Sequence, residues 1–184
     1  DFQNQKYRLE DKLLKTFPEE IQKQKTRITA LQQDSQIAAA HPQDKENFCG
    51  MTIKGMVYDD KKAAGERLLL ARQEMPSAAM MLLGTYRGFE LNIRFDSFKN
   101  EHQAVLRAEL SYPVSLGDDA RGNITRLDNA IDNFADRIAD AENALQNLEQ
   151  QKQAAEVEVA KPFAQEEELA EKSARLAEDR KSVV

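Results

Sequence analysis

Over residues 124–159 the apolar positions recur at alternating intervals of three and four. Ile124, Leu127, Ile131, Phe134, Ile138, Ala141, Leu145, Leu148, Ala155 and Val159 fall on one seam, and only Lys152 interrupts it. With Asp, Asn, Gln and Glu between them, this is the period of a coiled-coil helix. Asn123, after Gly122, fits an N-cap, and Pro162 predicts the end because proline disfavours helical geometry at Lys161. At 1.5 Å per residue the helix would run about 50 Å.

A helix of that length needs a partner, and a weaker stripe of Ile21, Ile28, Leu31, Ser35 and Ala38 provides one. Thr16-Phe17-Pro18-Glu19 has capping-box spacing with proline in the first turn, so this second helix is predicted to start there and to stop at His41-Pro42. Two shorter helices are expected outside the pair. One carries Phe2, Leu9, Leu13 and Phe17; the other covers residues 165–180, with Leu169 and Leu176.

Between the two long helices the period falls to two. Met51-Thr52-Ile53 and Met56-Val57-Tyr58 flank Lys54-Gly55, a two-residue hairpin. Asp59 or Asp60 then caps a helix carrying Ala64, Leu68, Ala71 and Met75, closed by Pro76. Strands follow over residues 81–86, 89–95 and 104–112, the last two with apolar side chains at alternate positions.

The chain therefore reads as α+β: an antiparallel helical-hairpin, coiled-coil stalk with an inserted small antiparallel sheet plus one helix. Residues 1–47 hold the N-terminal helices and the first stalk arm, 48–122 the inserted α+β head, and 123–184 the second arm and the C-terminal helix. Residues 113–122 return the chain to the stalk. Because the helical partners are internal, the fragment is expected to be monomeric.

Composition sharpens this picture. Charged residues make up 32% and aromatics 7%, which suits long solvated helices better than a thick core. The single Cys49 rules out an intramolecular disulfide framework, and a cytoplasmic setting is expected. No apolar stretch approaches the roughly 20 residues that span a bilayer, so no membrane contact is expected. The chain opens on Asp1 and stops in a polar helical stretch, which suggests a piece of something larger.

The net charge of −6 is unevenly placed. Lys plus Arg against Asp plus Glu is 8 to 8 over residues 1–47, 10 to 10 over 48–122 and 8 to 14 over 123–184. An acidic final third repels nucleic-acid phosphates, although a basic patch on the neutral middle could bind them locally.

Candidate chemistry is sparse. Gly50 and Gly55 have phosphate-loop spacing, but Met56-Val57 occupy the places of the phosphate-binding Lys and the hydroxyl that holds magnesium. The acidic loop from Gly117 to Asn123 puts glycine where a calcium loop needs its first carboxylate. His41, His102 and Cys49 have no metal-ligand spacing, and no nucleophile stands with a base. No cofactor, metal site or catalytic residue is expected. Arg87-Gly88-Phe89 begins like an RNA-recognition strand, but Glu90, Leu91 and Arg94 then replace the small residue and the stacking rings. Arg87 and Arg94, joined by Lys54, Lys61 and Lys62, remain as candidate phosphate contacts if the fold brings them onto one face.

Four segments, NFCGMTIKGMVYDDKKAAGERLL, GTYRGFELNIRFDSF, GNITRLDNAI and KPFAQEEELAEKSARLAE, carry a resemblance. Together they resemble the C-terminal region of very large helicase and adenine-specific DNA methyltransferase fusion proteins, carried by conjugative elements of gut-dwelling Gram-positive bacteria. The resemblance implies a parent that remodels or modifies DNA, with the Walker and methyltransferase motifs lying elsewhere in it. This region is then expected to be a non-catalytic scaffold whose partners are other domains of the parent or proteins of the transfer machinery. The alternative is an accessory DNA-binding module without sequence preference.

Overall fold

The computed structural model describes residues 2–44, 46–75 and 79–182. The fold is α+β, and the chain divides into two compact units: Arg27–Asp140, and Asp1–Thr26 with Ala141–Val184.

The larger unit is built on a six-stranded antiparallel sheet. Its strands are β1 (Met51–Ile53), β2 (Met56–Tyr58), β3 (Met81–Tyr86), β4 (Phe89–Asp96), β5 (Glu101–Arg107) and β6 (Ser111–Ser115), in the order β2-β1-β3-β4-β5-β6. The predicted hairpin at Lys54-Gly55 forms, with φ of 50° and 80° at its two residues, the positive values a tight hairpin turn demands. Helix α3 (Lys61–Glu74) starts where expected, Asp60 accepting the Ala63 amide at its N-cap. The expected closure at Pro76 lies outside the described residues.

The expected single strand over residues 104–112 is instead two strands, β5 and β6, joined by a turn at residues 108–110. The cause is a carboxylate from outside the sheet. Helix α2 (Phe17–Ala40) brings Asp34 against the turn, where its oxygens accept the Glu109 and Leu110 amides at 2.9 and 3.0 Å and the Tyr112 hydroxyl at 2.5 Å. The Tyr112 hydroxyl would otherwise be a buried polar group without a partner, and the two partly buried amides would lose their acceptor.

One sheet face is packed, and the other is open at positions such as Leu82 and Arg107, although Asn92, Gln103 and Val105 on it are buried. Met51, Ile53, Phe89, Leu91 and Ile93 are buried, as are Ala64, Gly65, Leu68 and Ala71 of α3. A side chain at Gly65 would meet the Ala120 carbonyl at 2.1 Å, so glycine is what lets α3 approach the start of helix α4 (Ala120–Ile131). Phe134, the first residue of helix α5 (Phe134–Ser182), stacks on Phe89 at 6.0 Å and meets Tyr112 edge-on at 5.1 Å.

The helices depart from the sequence reading in four places. Asp119, not Asn123, caps α4, accepting the Gly122 amide; Asn123 is buried inside the helix and bonds both the N–H and the carbonyl of Gly117. The long seam is cut between Ile131 and Phe134, so α4 and α5 are separate helices. Pro162 does not end α5, which reaches Ser182 and absorbs the expected fourth helix; an internal proline removes one bond and leaves the rest of a 49-residue ladder in place. Leu176 there is exposed, and the side chain of Leu169 lies outside the described residues.

The fourth departure is at the start. Instead of a break at Thr16, helix α1 (Phe2–Asp11) continues into α2 through a π-helical turn at Lys12–Thr16, closed by the Phe17 amide on the Lys12 carbonyl. In a regular α-helix the Pro18 ring would collide with the carbonyl four residues earlier. A wider turn just before it relieves that clash.

Within the smaller unit the seam positions of α5 behave as their period predicts. Ala141 and Ala155 are buried, and Leu145, Leu148, Lys152 and Val159 are half-buried, while most residues between them are exposed. Two concavities adjoin this seam. One is lined by Glu20, Lys23 and Gln24 with Ala144, Asn147, Leu148 and Gln151. The other is lined by Phe2, Gln5, Lys6 and Leu9 with Glu158 and Val159.

Candidate functional site

The turn between β3 and β4 is built from Arg87-Gly88, at φ of 48° and 82°. Asn-Gly or Gly-Gly would enter such a turn without strain, whereas a non-glycine side chain in the left-handed region is unfavourable by about 1 kcal/mol. Arginine is held there by its side chain. Its Nε donates to the His41 carbonyl at 2.8 Å, Nη1 to Asp128 at 3.2 Å and Nη2 to Asp132 at 2.8 Å. Gly88 is required beside it, because a Cβ there would stand 2.6 Å from the His41 ring.

The network extends through Asp128, whose Oδ1 also accepts the Tyr86 hydroxyl at 2.5 Å. Burial, then the hydrogen bond to Asp128, pushes the Tyr86 phenol far above its ordinary value. Burial opposes the charge on Arg87, but Asp132 and Asp128 outweigh it and raise the guanidinium above its usual value. The Cys49 thiol is pushed up by burial and by Asp128, which leaves little thiolate and a poor nucleophile.

Beside this network lies a cleft of 630 Å³. Among the described residues its wall carries Asp44, Glu46, Asp59, Asp60, Asp128 and Asp132, against Lys61 as the one basic side chain. Arg87 pairs with Asp128 and Asp132, but Asp44, Glu46, Asp59 and Asp60 against Lys61 still leave carboxylates in excess among the described lining residues, which disfavours phosphate.

Each of the five candidate phosphate contacts has a partner within the chain. Arg87 is withdrawn from solvent, its side chain 2% exposed and paired twice. Lys54 pairs with Glu74 at 3.1 Å. Lys61 donates to the Thr125 hydroxyl at 3.0 Å on the acidic cleft, and Lys62 reaches Glu66 at 3.9 Å on the surface of α3. Arg94 stands on the open sheet face, opposite in the pleat to Leu91 and Ile93, and its Nε donates to Gln103 at 3.0 Å.

That open face resembles no base-stacking platform. Along β4 it presents Glu90, Asn92, Arg94 and Asp96, with no aromatic ring. Gln103 donates to Asp96 and Glu101, and Ser115 donates to Glu101. Acid outnumbers base across the sheet surface at these positions.

Among the described residues no group of His, Cys, Asp and Glu has the geometry to hold a metal ion, and no helix is long and apolar enough to cross a membrane. The sequence reading missed Asp34, Asp128 and Asp132. Asp34 could have been found three positions after Leu31 on the buried stripe of α2, where an acidic residue must meet donors. Comparison with known proteins finds no matching family model, no similar curated protein and no similar solved structure.

Proposed function

We infer that this chain is a non-catalytic scaffold or interaction module of a mobile-element protein that processes DNA, of the helicase and methyltransferase fusion type its four motifs resemble. The observation that carries the reading is the fate of the basic side chains. The candidate phosphate contacts each have a partner within the chain, and the cleft beside Arg87 and Lys61 is lined with carboxylates. Such a surface selects protein partners, with basic or neutral contact patches, over nucleic acid.

The helical unit fits the same role as an antiparallel coiled-coil stalk. Support comes from its two concavities, in which residues 20–24 accompany 144–151 and residues 2–9 accompany 158–159, so the numbering runs in opposite directions. In this reading the partners are other domains of the parent or proteins of the transfer machinery, the setting is cytoplasmic, and no cofactor is used.

The test is direct binding. The chain, immobilised, is challenged in turn with the purified helicase and methyltransferase segments of such a fusion protein. Saturable binding to either one that survives physiological salt supports the scaffold. If neither binds and duplex DNA does, the module is a DNA-binding accessory instead.

A further inference from the structure

The two outer strands of the sheet, β2 and β6, differ in how they are protected. Just beyond β6 the Leu116 amide bonds the His102 carbonyl, so counting back by twos along β6 places Pro113 among the residues whose backbone faces away from β5. Proline has no N–H to offer a further strand there, and the edge is closed.

The β2 edge has no such block. In a two-residue hairpin the residues beside the turn, Ile53 and Met56, exchange both bonds, so the backbone groups of the next pair, Thr52 and Val57, point away from each other. Those of Thr52 face β3, in line with the Lys54 amide two residues on, which bonds the Leu83 carbonyl at 2.7 Å. Those of Val57 face outward, beyond the last strand. The side chains beside them are apolar and uncovered, Met56 being 64% and Val57 67% exposed. Met56-Val57-Tyr58 contains neither a charge nor a proline, the features that keep an edge from pairing.

We propose that β2 is a self-association edge, on which a second copy of this chain docks its own β2 antiparallel across a two-fold axis at Val57. The two Val57 residues then exchange N–H and C=O bonds. Met56 of each copy lies opposite Tyr58 of the other, and Val57 opposite Val57, so the contact is apolar on both faces of the sheet. The flanks set the direction. Antiparallel pairing brings Lys54 of one copy to the Asp59-Asp60 end of the other, whereas parallel pairing sets Lys54 on Lys54 and acid on acid. Because Pro113 closes the opposite edge of each copy, association stops at two. Internal partners for the helices, the basis for expecting a monomer, leave this edge free.

Sedimentation equilibrium of the wild-type chain over about 10–500 µM tests this, a range suited to a contact of a few residues. The weight-average mass should rise from 20.9 kDa toward twice that value and not beyond it. Two variants locate the contact. Val57→Lys places a charge at an exposed position of the edge and should weaken association by about tenfold or more. Val57→Pro removes the N–H that faces outward and should do the same. Circular dichroism follows the fold of both, and if Val57→Pro loses it, Val57→Lys decides alone. A mass of one copy throughout, a mass that climbs past two copies, or wild-type association in folded Val57→Lys overturns the proposal.

Discussion

The two units reach stability by different means. In residues 27–140, large side chains such as Tyr86, Phe89, Leu91, Ile93 and Leu127 are fully enclosed, and buried polar groups are tied into networks around Asp34 and Arg87. In residues 1–26 and 141–184, the apolar side chains that are buried among the described residues are Phe17, Ala141 and Ala155, none of them completely, while Leu145 and Leu148 stay half-exposed. Enclosed aromatic and branched side chains each contribute roughly 1.5–3 kcal/mol by burial, and a half-covered seam contributes correspondingly less. A single heptad-like pattern thus runs through two environments and has different energetic weight in each.

The sharpest way to break this comparison is one charge placed at equivalent seam positions. Leu127→Asp puts an unpaired carboxylate where exposure is zero and should cost about 4 kcal/mol or more, enough to unfold a marginal domain. Leu148→Asp, on the half-buried part, should lower the melting temperature far less. Equal losses in thermal melts would show that the helical unit is as tightly packed as the sheet unit.

Asp34→Ala comes next. It leaves two amides and one hydroxyl at the β5–β6 turn without their acceptor, a loss of roughly 3 kcal/mol by chemical denaturation. Asp34→Asn, which keeps one acceptor oxygen, should lose less. A neutral result would mean that water replaces the carboxylate at no cost.

Alkaline pH separates the units without mutation. Tyr86 is raised by burial and by Asp128, and Tyr112 by burial and by Asp34, both well above the ordinary phenol value near 10. Above pH 10 the unfolded chain releases these two protons while the folded one retains them. The stabilisation is therefore complete below pH 10 and declines as pH rises beyond it, by about 1.4 kcal/mol per pH unit for each phenol. Tyr86→Phe should flatten that decline. Lys62→Ala, at an exposed i,i+4 pair with Glu66, sets the lower end of the scale and should leave the melt unchanged.

What was legible in the sequence follows the same division. The period-two runs at 81–86 and 89–95, the Lys54-Gly55 turn and a cap at Asp59 or Asp60 are local signals, and each appears, with Asp60 the residue that caps. The misread features lack such signals. The β5–β6 turn needs Asp34 from α2, and the break after Ile131 is marked by no glycine or proline. Pro18 reads as the first turn of a new helix, where proline is tolerated, and Pro162 as a helix end, because proline disfavours helical geometry at the residue before it. A wide turn accommodates the first, and sheer helix length tolerates the second. For the candidate site, the sequence showed Arg87 as a cation at a turn but not the two aspartates that claim it, since Asp128 and Asp132 read there as solvated seam-flanking residues.

The proposed preference of this module for protein over nucleic acid is tested most directly by fluorescence anisotropy of labelled duplex and single-stranded DNA. Titrations of the wild-type chain at low and at physiological salt should show no saturable binding to either form. Binding at low salt whose affinity falls by roughly one logarithmic unit per tenfold rise in salt for each phosphate engaged, and that is lost in Arg94→Ala or Lys61→Ala, would contradict this reading and make the chain a DNA-binding module.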